Sequence, residues 1–250
     1  MTERIVEFHD EVARRLAQLA RTAEEGGFDA AISLLSDTVA ADGVIHAFGT
    51  GHSEAFAMEV AGRAGGLIPT NKVALRDVVI RGDRDVSALT GYPPLERDPE
   101  IGDELFATIL REPQDAFIIA SNSGVNGSIV GMALRAQKAG HPVIAVTSLE
   151  HTARVTPTHP SGKRLSEIAD IVIDNLAPYG DAVLARSTPL GAVSSITSAF
   201  IAQLLTVGIS ERLERAGQAP PVFLSANIPG GDEHNRRHET HYGERIRRIA

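Results

Sequence analysis

Apolar residues recur at steps of three and four through Ile5, Phe8, Val12, Leu16 and Leu19, a spacing that predicts an amphipathic helix. Gly26-Gly27 stops it, and Phe28, Ile32, Leu35 and Val39 predict a second helix. From residue 43 the rhythm changes to short continuous apolar runs at Val44–Phe48, Ala116–Ala120, Val143–Val146 and Ile171–Ile173. Helical patterns fill 53–64, 126–139 and 190–215. Such alternation predicts buried parallel strands covered by helices on both faces. Region 67–110 is less regular, with a strand near Leu67–Pro69 or Val78–Ile80 and a helix near 100–111. Asp83–Pro99 and His151–Lys163 read as long loops. The whole chain, 1–250, reads as one α/β domain: a helical pair at 1–42, a core at 43–215 and a tail with a helix at 216–250.

Composition narrows the class. Ser187–Ser210 holds no charged residue, but its apolar positions Val193, Ile196, Phe200, Leu204 and Val207 lie at helical spacing among hydroxyls, which predicts a buried core helix rather than a membrane span. The absence of cysteine excludes disulfides and thiolate chemistry. A net charge of −8, with four Arg against nine acids in residues 1–42, argues against nucleic-acid binding. Met1–Glu11 carries four acids and spaced apolar residues, unlike a signal peptide, so a cytoplasmic protein is expected.

In sheets of this kind ligands sit at the carboxyl ends of strands. That rule selects three turns: Gly49-Thr50-Gly51-His52-Ser53, Ser121-Asn122-Ser123-Gly124-Val125-Asn126 and Thr147-Ser148-Leu149-Glu150-His151. Glycine lets backbone approach a ligand, and a helix start offers free N–H groups. Ser121, Ser123 and Asn126 around Gly124 therefore suit a phosphate monoester, or else simply build a turn and helix cap. Glu54 stands where a dinucleotide fingerprint needs its third glycine, which disfavours NAD. No cofactor and no metal are expected. His234, His238 and His241 share a helical face but lack a His-Glu-x-x-His pattern, so a charged exposed helix is the simpler reading.

The first two turns together resemble the sugar isomerase (SIS) domain family. Ala133–Gly140 leading into Val143–Ser148 fits that family's helix and strand, and the resemblance runs over about residues 28–215. It is nearest to a group of uncharacterised sugar-isomerase-like proteins, which share Arg63–Gly66, Ser148–His151, Ser161–Leu165 and Val222–Asn227. Phosphoheptose isomerase and N-acetylmuramic acid 6-phosphate etherase are more distant. The resemblance implies a three-layer α/β/α sandwich with a five-stranded parallel, flavodoxin-like sheet, here with an N-terminal helical extension. It also implies a phosphorylated sugar as ligand and a homodimer, to which the two N-terminal apolar stripes lend themselves. Phosphate contacts are implied at Ser121, Asn122, Ser123 and Asn126, with Gly124 in the same turn, and sugar contacts at Thr50 and Ser53 beside Gly49 and Gly51; Ser148 in the third turn is a further candidate for ligand contact.

Catalytic roles do not carry over. Isomerisation needs a base to move a proton between neighbouring carbons. The resemblance to phosphoheptose isomerase and the etherase implies a catalytic carboxylate at the position where Arg63 stands, and arginine offers no acceptor. Glu59, one helical turn before Arg63, is either a replacement base or an ion-pair partner. Glu54 is a carboxylate in the first turn of that helix. His52 either shuttles a proton or bonds its own loop, and Lys163 either reaches a phosphate or stays in solvent. Two functions follow: an enzyme that isomerises or otherwise processes a phosphorylated sugar, amino sugars included, or a non-catalytic sensor of one.

Overall fold

The computed structural model describes residues 3–247, so the outermost residues of the helical pair and of the tail lie outside it. Two N-terminal helices, α1 (Glu3–Glu24) and α2 (Asp29–Ala40), lead into β1 (Ile45–Gly49), α3 (Glu54–Val60), β2 (Thr70–Val73), α4 (Asp77–Ile80) and α5 (Ile101–Ala107). There follow β3 (Ala116–Ala120), α6 (Gly127–Lys138), β4 (Val143–Thr147), α7 (Leu149–Arg154) and β5 (Ile171–Asp174). A hairpin of β6 (Ala182–Leu184) and β7 (Leu190–Ala192) precedes α8 (Ser194–Arg215) and α9 (Gly231–Tyr242).

The main sheet is parallel, ordered β2-β1-β3-β4-β5. Alternation along each strand sorts the core into two layers. Ile45, Ala47, Ile118, Ile144 and Val146 face α2, α3 and α8, while Phe48, Phe117, Ile119, Val143 and Ala145 face α5 and α6. The α5–α6 contact is close enough that a Cβ on Gly102 would lie 2.3 Å from the backbone carbon of Gly131. The expected three-layer sandwich is present. Among the described residues no helix is long and apolar enough to cross a membrane.

Several local expectations are overturned. Of the two places expected for a strand in region 67–110, Leu67–Pro69 runs directly into β2 (Thr70–Val73), whereas Val78–Ile80 belongs to the short helix α4. His151–Arg154 belongs to α7 rather than to a loop. In α8 the stripe of Ile196, Phe200, Leu204 and Val207 is the less buried face, with Val207 56% exposed. The buried face carries Thr197, Ile201, Leu205, Thr206 and Ile209 instead. Thr197 and Thr206 donate to the carbonyls of Val193 (3.3 Å) and Ala202 (2.9 Å), so their hydroxyls enter the core already bonded. In α1 Ile5 is exposed, and Arg15 is buried, donating to the carbonyl of Leu176 at 3.0 Å and pairing with Glu11.

A buried polar network lies at the sheet's amino edge. Asp115 Oδ1 accepts from Val44 N–H (2.8 Å) and Arg245 (2.5 Å); Oδ2 accepts from Glu112 N–H (2.8 Å) and His46 Nε2 (3.1 Å). The other His46 nitrogen faces the Asn71 amide at 3.1 Å. Burial holds the His46 pKa below the usual imidazole value, against the opposing pull of Asp115. For Asp115 burial pushes upward, but the bonds from His46 and the two N–H groups hold its carboxyl below the usual range.

Candidate functional site

The strand order reverses direction between β1 and β3, so the turns after these strands flank the crevice where such sheets take ligands. After β1 the chain doubles back so tightly that a Cβ on Gly49 would come 2.2 Å from the Ser53 carbonyl oxygen. Thr50 is extended, and Gly51–Ser53 form a 3-10 turn running into α3. Among the described residues the side chains of Thr50, His52 and Ser53 make no hydrogen bond, leaving two hydroxyls and an exposed imidazole unengaged. Glu54, in the first turn of α3, takes Arg76 at 2.8 Å and Lys72 at 3.4 Å, tying α3 to β2.

The turn after β3 is held from several sides. Gly124 N–H donates to Ser121 Oγ at 3.1 Å, and Thr147 Oγ1 donates to the Ser121 carbonyl at 2.7 Å. Gly124 sits at φ +66, and a Cβ there would press against Thr147 and Thr152 at 3.3 Å, so both conformation and space call for glycine. Asn126 caps α6 in extended conformation without a side-chain bond to the helix, which leaves the first N–H groups of α6 open. Ser123 and Asn126 are half-buried, and among the described residues neither side chain has a hydrogen-bond partner. Asn122 accepts from Asn175 at 3.2 Å. Thr152 Oγ1, buried beside Gly124, has no partner among the described residues.

The third turn does different work. Ser148 is fully buried, donates to the Ala177 carbonyl at 2.6 Å and accepts from His151 N–H at 2.9 Å, so its hydroxyl is committed to capping α7. His151 Nδ1 accepts from Gly180 N–H at 2.9 Å, which leaves the ring proton on Nε2. Burial lowers the His151 pKa, with Asp181 opposing.

Two long segments lie against the second turn. Thr158 Oγ1 donates to the Val125 carbonyl at 2.6 Å, and Leu165 N–H donates to the Gly124 carbonyl at 2.8 Å, which brings exposed Lys163 within two residues of that contact. On the other side Ser128 Oγ donates to the Glu96 carbonyl at 2.8 Å, and a Cβ on Gly127 would lie 2.4 Å from the Arg97 carbonyl oxygen. Arg84 holds this strap from behind, gripping Glu104 at 2.6 and 2.8 Å and reaching Asp98 at 3.4 Å. Glu96 thereby lies between the first two turns. The sequence carries no signal for it beyond an acid in a proline-rich loop.

Glu59 is brought to the contact of α3 with α8, where its Oε1 pairs with Arg63 and accepts from Gln203 at 2.7 Å. The three C-terminal histidines are engaged separately: His234 Nε2 is 2.9 Å from the Val222 carbonyl, His241 Nε2 is 3.1 Å from Asp42, and His238 packs on His234 at 4.8 Å. Among the described residues no grouping suited to a metal ion is found.

Comparison with known proteins agrees with this architecture. The chain matches the SIS domain over residues 7–148. It is 34% identical to a UPF0309 protein of Caldanaerobacter subterraneus subsp. tengcongensis, covering 96% of this chain and 98% of that protein. A UPF0309 protein of Listeria monocytogenes is 36% identical, covering 96% and 97%. Among solved structures, a phosphoheptose isomerase from Francisella tularensis superposes with a TM-score of 0.57 at 16% identity, covering 84% of this chain and 100% of the other. A Bacteroides fragilis protein described as a phosphosugar isomerase involved in capsule formation gives 0.52 at 16% identity, covering 96% and 100%. The chain belongs to the SIS domain family.

Proposed function

We propose that the chain binds a phosphorylated sugar in the crevice between the β1 and β3 turns and isomerises it by proton transfer between adjacent carbons. The observation that carries this reading is the second turn. Ser123, Asn126 and the uncapped N–H groups of α6 are unengaged donors at the positive end of a helix. A phosphate there directs the rest of the sugar toward Thr50 and Ser53, whose hydroxyls are also unengaged. The fold it shares with a phosphoheptose isomerase and with the Bacteroides fragilis protein agrees with such a ligand.

The second reading, a phosphosugar sensor without turnover, draws on Arg63, which stands where the resemblance to phosphoheptose isomerase implies a carboxylate, and which pairs with Glu59. A thermal-shift screen with inorganic phosphate and with hexose, heptose, hexosamine and N-acetylhexosamine phosphates, followed by product analysis of each hit, decides between them. Turnover establishes the enzyme; binding without turnover establishes the sensor; no shift with any phosphate removes both. Self-association is proposed through α1 and α8, which pack together and leave Ile5, Val6, Ile196 and Val207 exposed. A stable monomer by light scattering at micromolar concentration would refute it.

A further inference from the structure

Resting on the isomerase reading above, we infer that Glu96 is the proton-transferring carboxylate of this site. A methyl group placed on Gly51 would lie 3.6 Å from Glu96 Oε2, so this carboxylate borders the turn proposed to hold the sugar. Its backbone carbonyl is fixed by Ser128 in the first turn of α6, the helix proposed to hold the phosphate. Among the described residues its carboxylate makes neither a hydrogen bond nor an ion pair, although the side chain is partly buried. Other acids around the crevice are committed: Glu54 to Lys72 and Arg76, Glu59 to Arg63 and Gln203, and Asp174 to the N–H groups of Leu149 and Leu176. A base needs a free lone pair within reach of the reacting carbon, and Glu96 has both the vacancy and the place.

The step balances without a redox partner. Glu96 takes the proton from the carbon beside the carbonyl of the open-chain sugar. The C–H electron pair becomes the carbon–carbon double bond of an enediol, and the carbonyl oxygen takes a proton from water. In the return half the carboxylic acid gives its proton to the neighbouring carbon, and the second hydroxyl releases its proton to water as the new carbonyl forms. The strap that carries Glu96 is anchored by Arg84 through Glu104 and Asp98, so the carboxylate is held at the turn.

The test uses the full chain in D2O with each sugar phosphate that raises the melting temperature of the wild type. Deuterium entering the carbon beside the carbonyl is followed by proton NMR, and affinity by calorimetry, for the wild type, Glu96→Gln and Glu96→Asp. The expected result is exchange in the wild type, a loss of about 100-fold or more in Glu96→Gln, and partial recovery in Glu96→Asp. Affinity and melting temperature should stay close to wild type, since the carboxylate bonds nothing in the free protein. Exchange within about threefold of wild type in Glu96→Gln would overturn the role of Glu96 and leave the isomerase reading standing. A sugar phosphate that binds without exchanging in the wild type would overturn both, in favour of the sensor.

Discussion

Replacing Asp115 by Asn tests the network at the sheet's amino edge. The carboxylate accepts four donors, two on each oxygen, from the start of β1, the loop before β3, the His46 ring and the tail residue Arg245. An amide keeps one accepting oxygen and presents a donor in place of the other. If the oxygen remains with Val44 and Arg245, His46 can shift its proton to the other nitrogen and Asn71 can turn its unpartnered Oδ1 to receive it. Glu112 N–H still loses its acceptor. One orphaned donor costs about 1–3 kcal/mol, and weakening the charge-assisted bond from Arg245 adds to this, so about 2–4 kcal/mol is expected. At roughly 2–4 °C per kcal/mol for a chain of this size, the melting temperature should fall by roughly 5–15 °C in calorimetry. A fall of under about 2 °C would show that the network contributes little to stability.

Acid should destabilise the fold through His46. Its folded pKa is lowered, so the unfolded ring binds a proton that the folded one refuses; stability is complete above about pH 6.5 and falls below it by up to about 1.4 kcal/mol per unit for this residue. His151, His159 and His238, also lowered by burial, add to the slope, and a flat urea midpoint between about pH 7 and 5 would contradict this. Ser123→Ala should weaken phosphosugar binding by roughly ten- to a hundredfold, the loss of about 1.5–3 kcal/mol from one bond to a charged group; unchanged affinity in titration calorimetry would remove Ser123 from the phosphate site. Glu59→Gln should cost under about 1 kcal/mol in urea melts, because Arg63 is 47% exposed, while hydrogen exchange into the sugar continues; a loss of exchange of about a hundredfold would return the proton transfer to Glu59.

Four of the five strands of the main sheet are legible to within a residue or so because each is a continuous apolar run. The fifth, Thr70-Asn71-Lys72-Val73, is not, because three of its four residues are polar and are buried with hydrogen bonds or an ion pair as partners. The same blindness misassigns the face of α8, where threonines bonded to their own helix carry core positions. The β6–β7 hairpin is hidden by its brevity. Both candidate turns follow from strand ends and glycine spacing, so Ser121–Asn126 and Gly49–Ser53 are named from the chain alone. Ser148 looks equivalent because residue type does not reveal that Ala177, 29 residues later, accepts its hydroxyl. Glu96 depends on how residues 84–104 fold back across α6, a long-range arrangement that no local pattern encodes.

The glycine contact between α5 and α6 acts as a mechanical stop. Any side chain on Gly102 has to displace the backbone at Gly131, one turn into α6 from the end that carries Asn126 and the open N–H groups. The strap bearing Glu96 rests on that same helix at Gly127 and Ser128. A methyl group added at Gly102, which touches none of the residues proposed to meet the ligand, would therefore disturb the proposed phosphate turn and the Glu96 strap together. Tuning of the proposed site can thus be inherited through helix spacing, with no change to the residues proposed to meet the sugar.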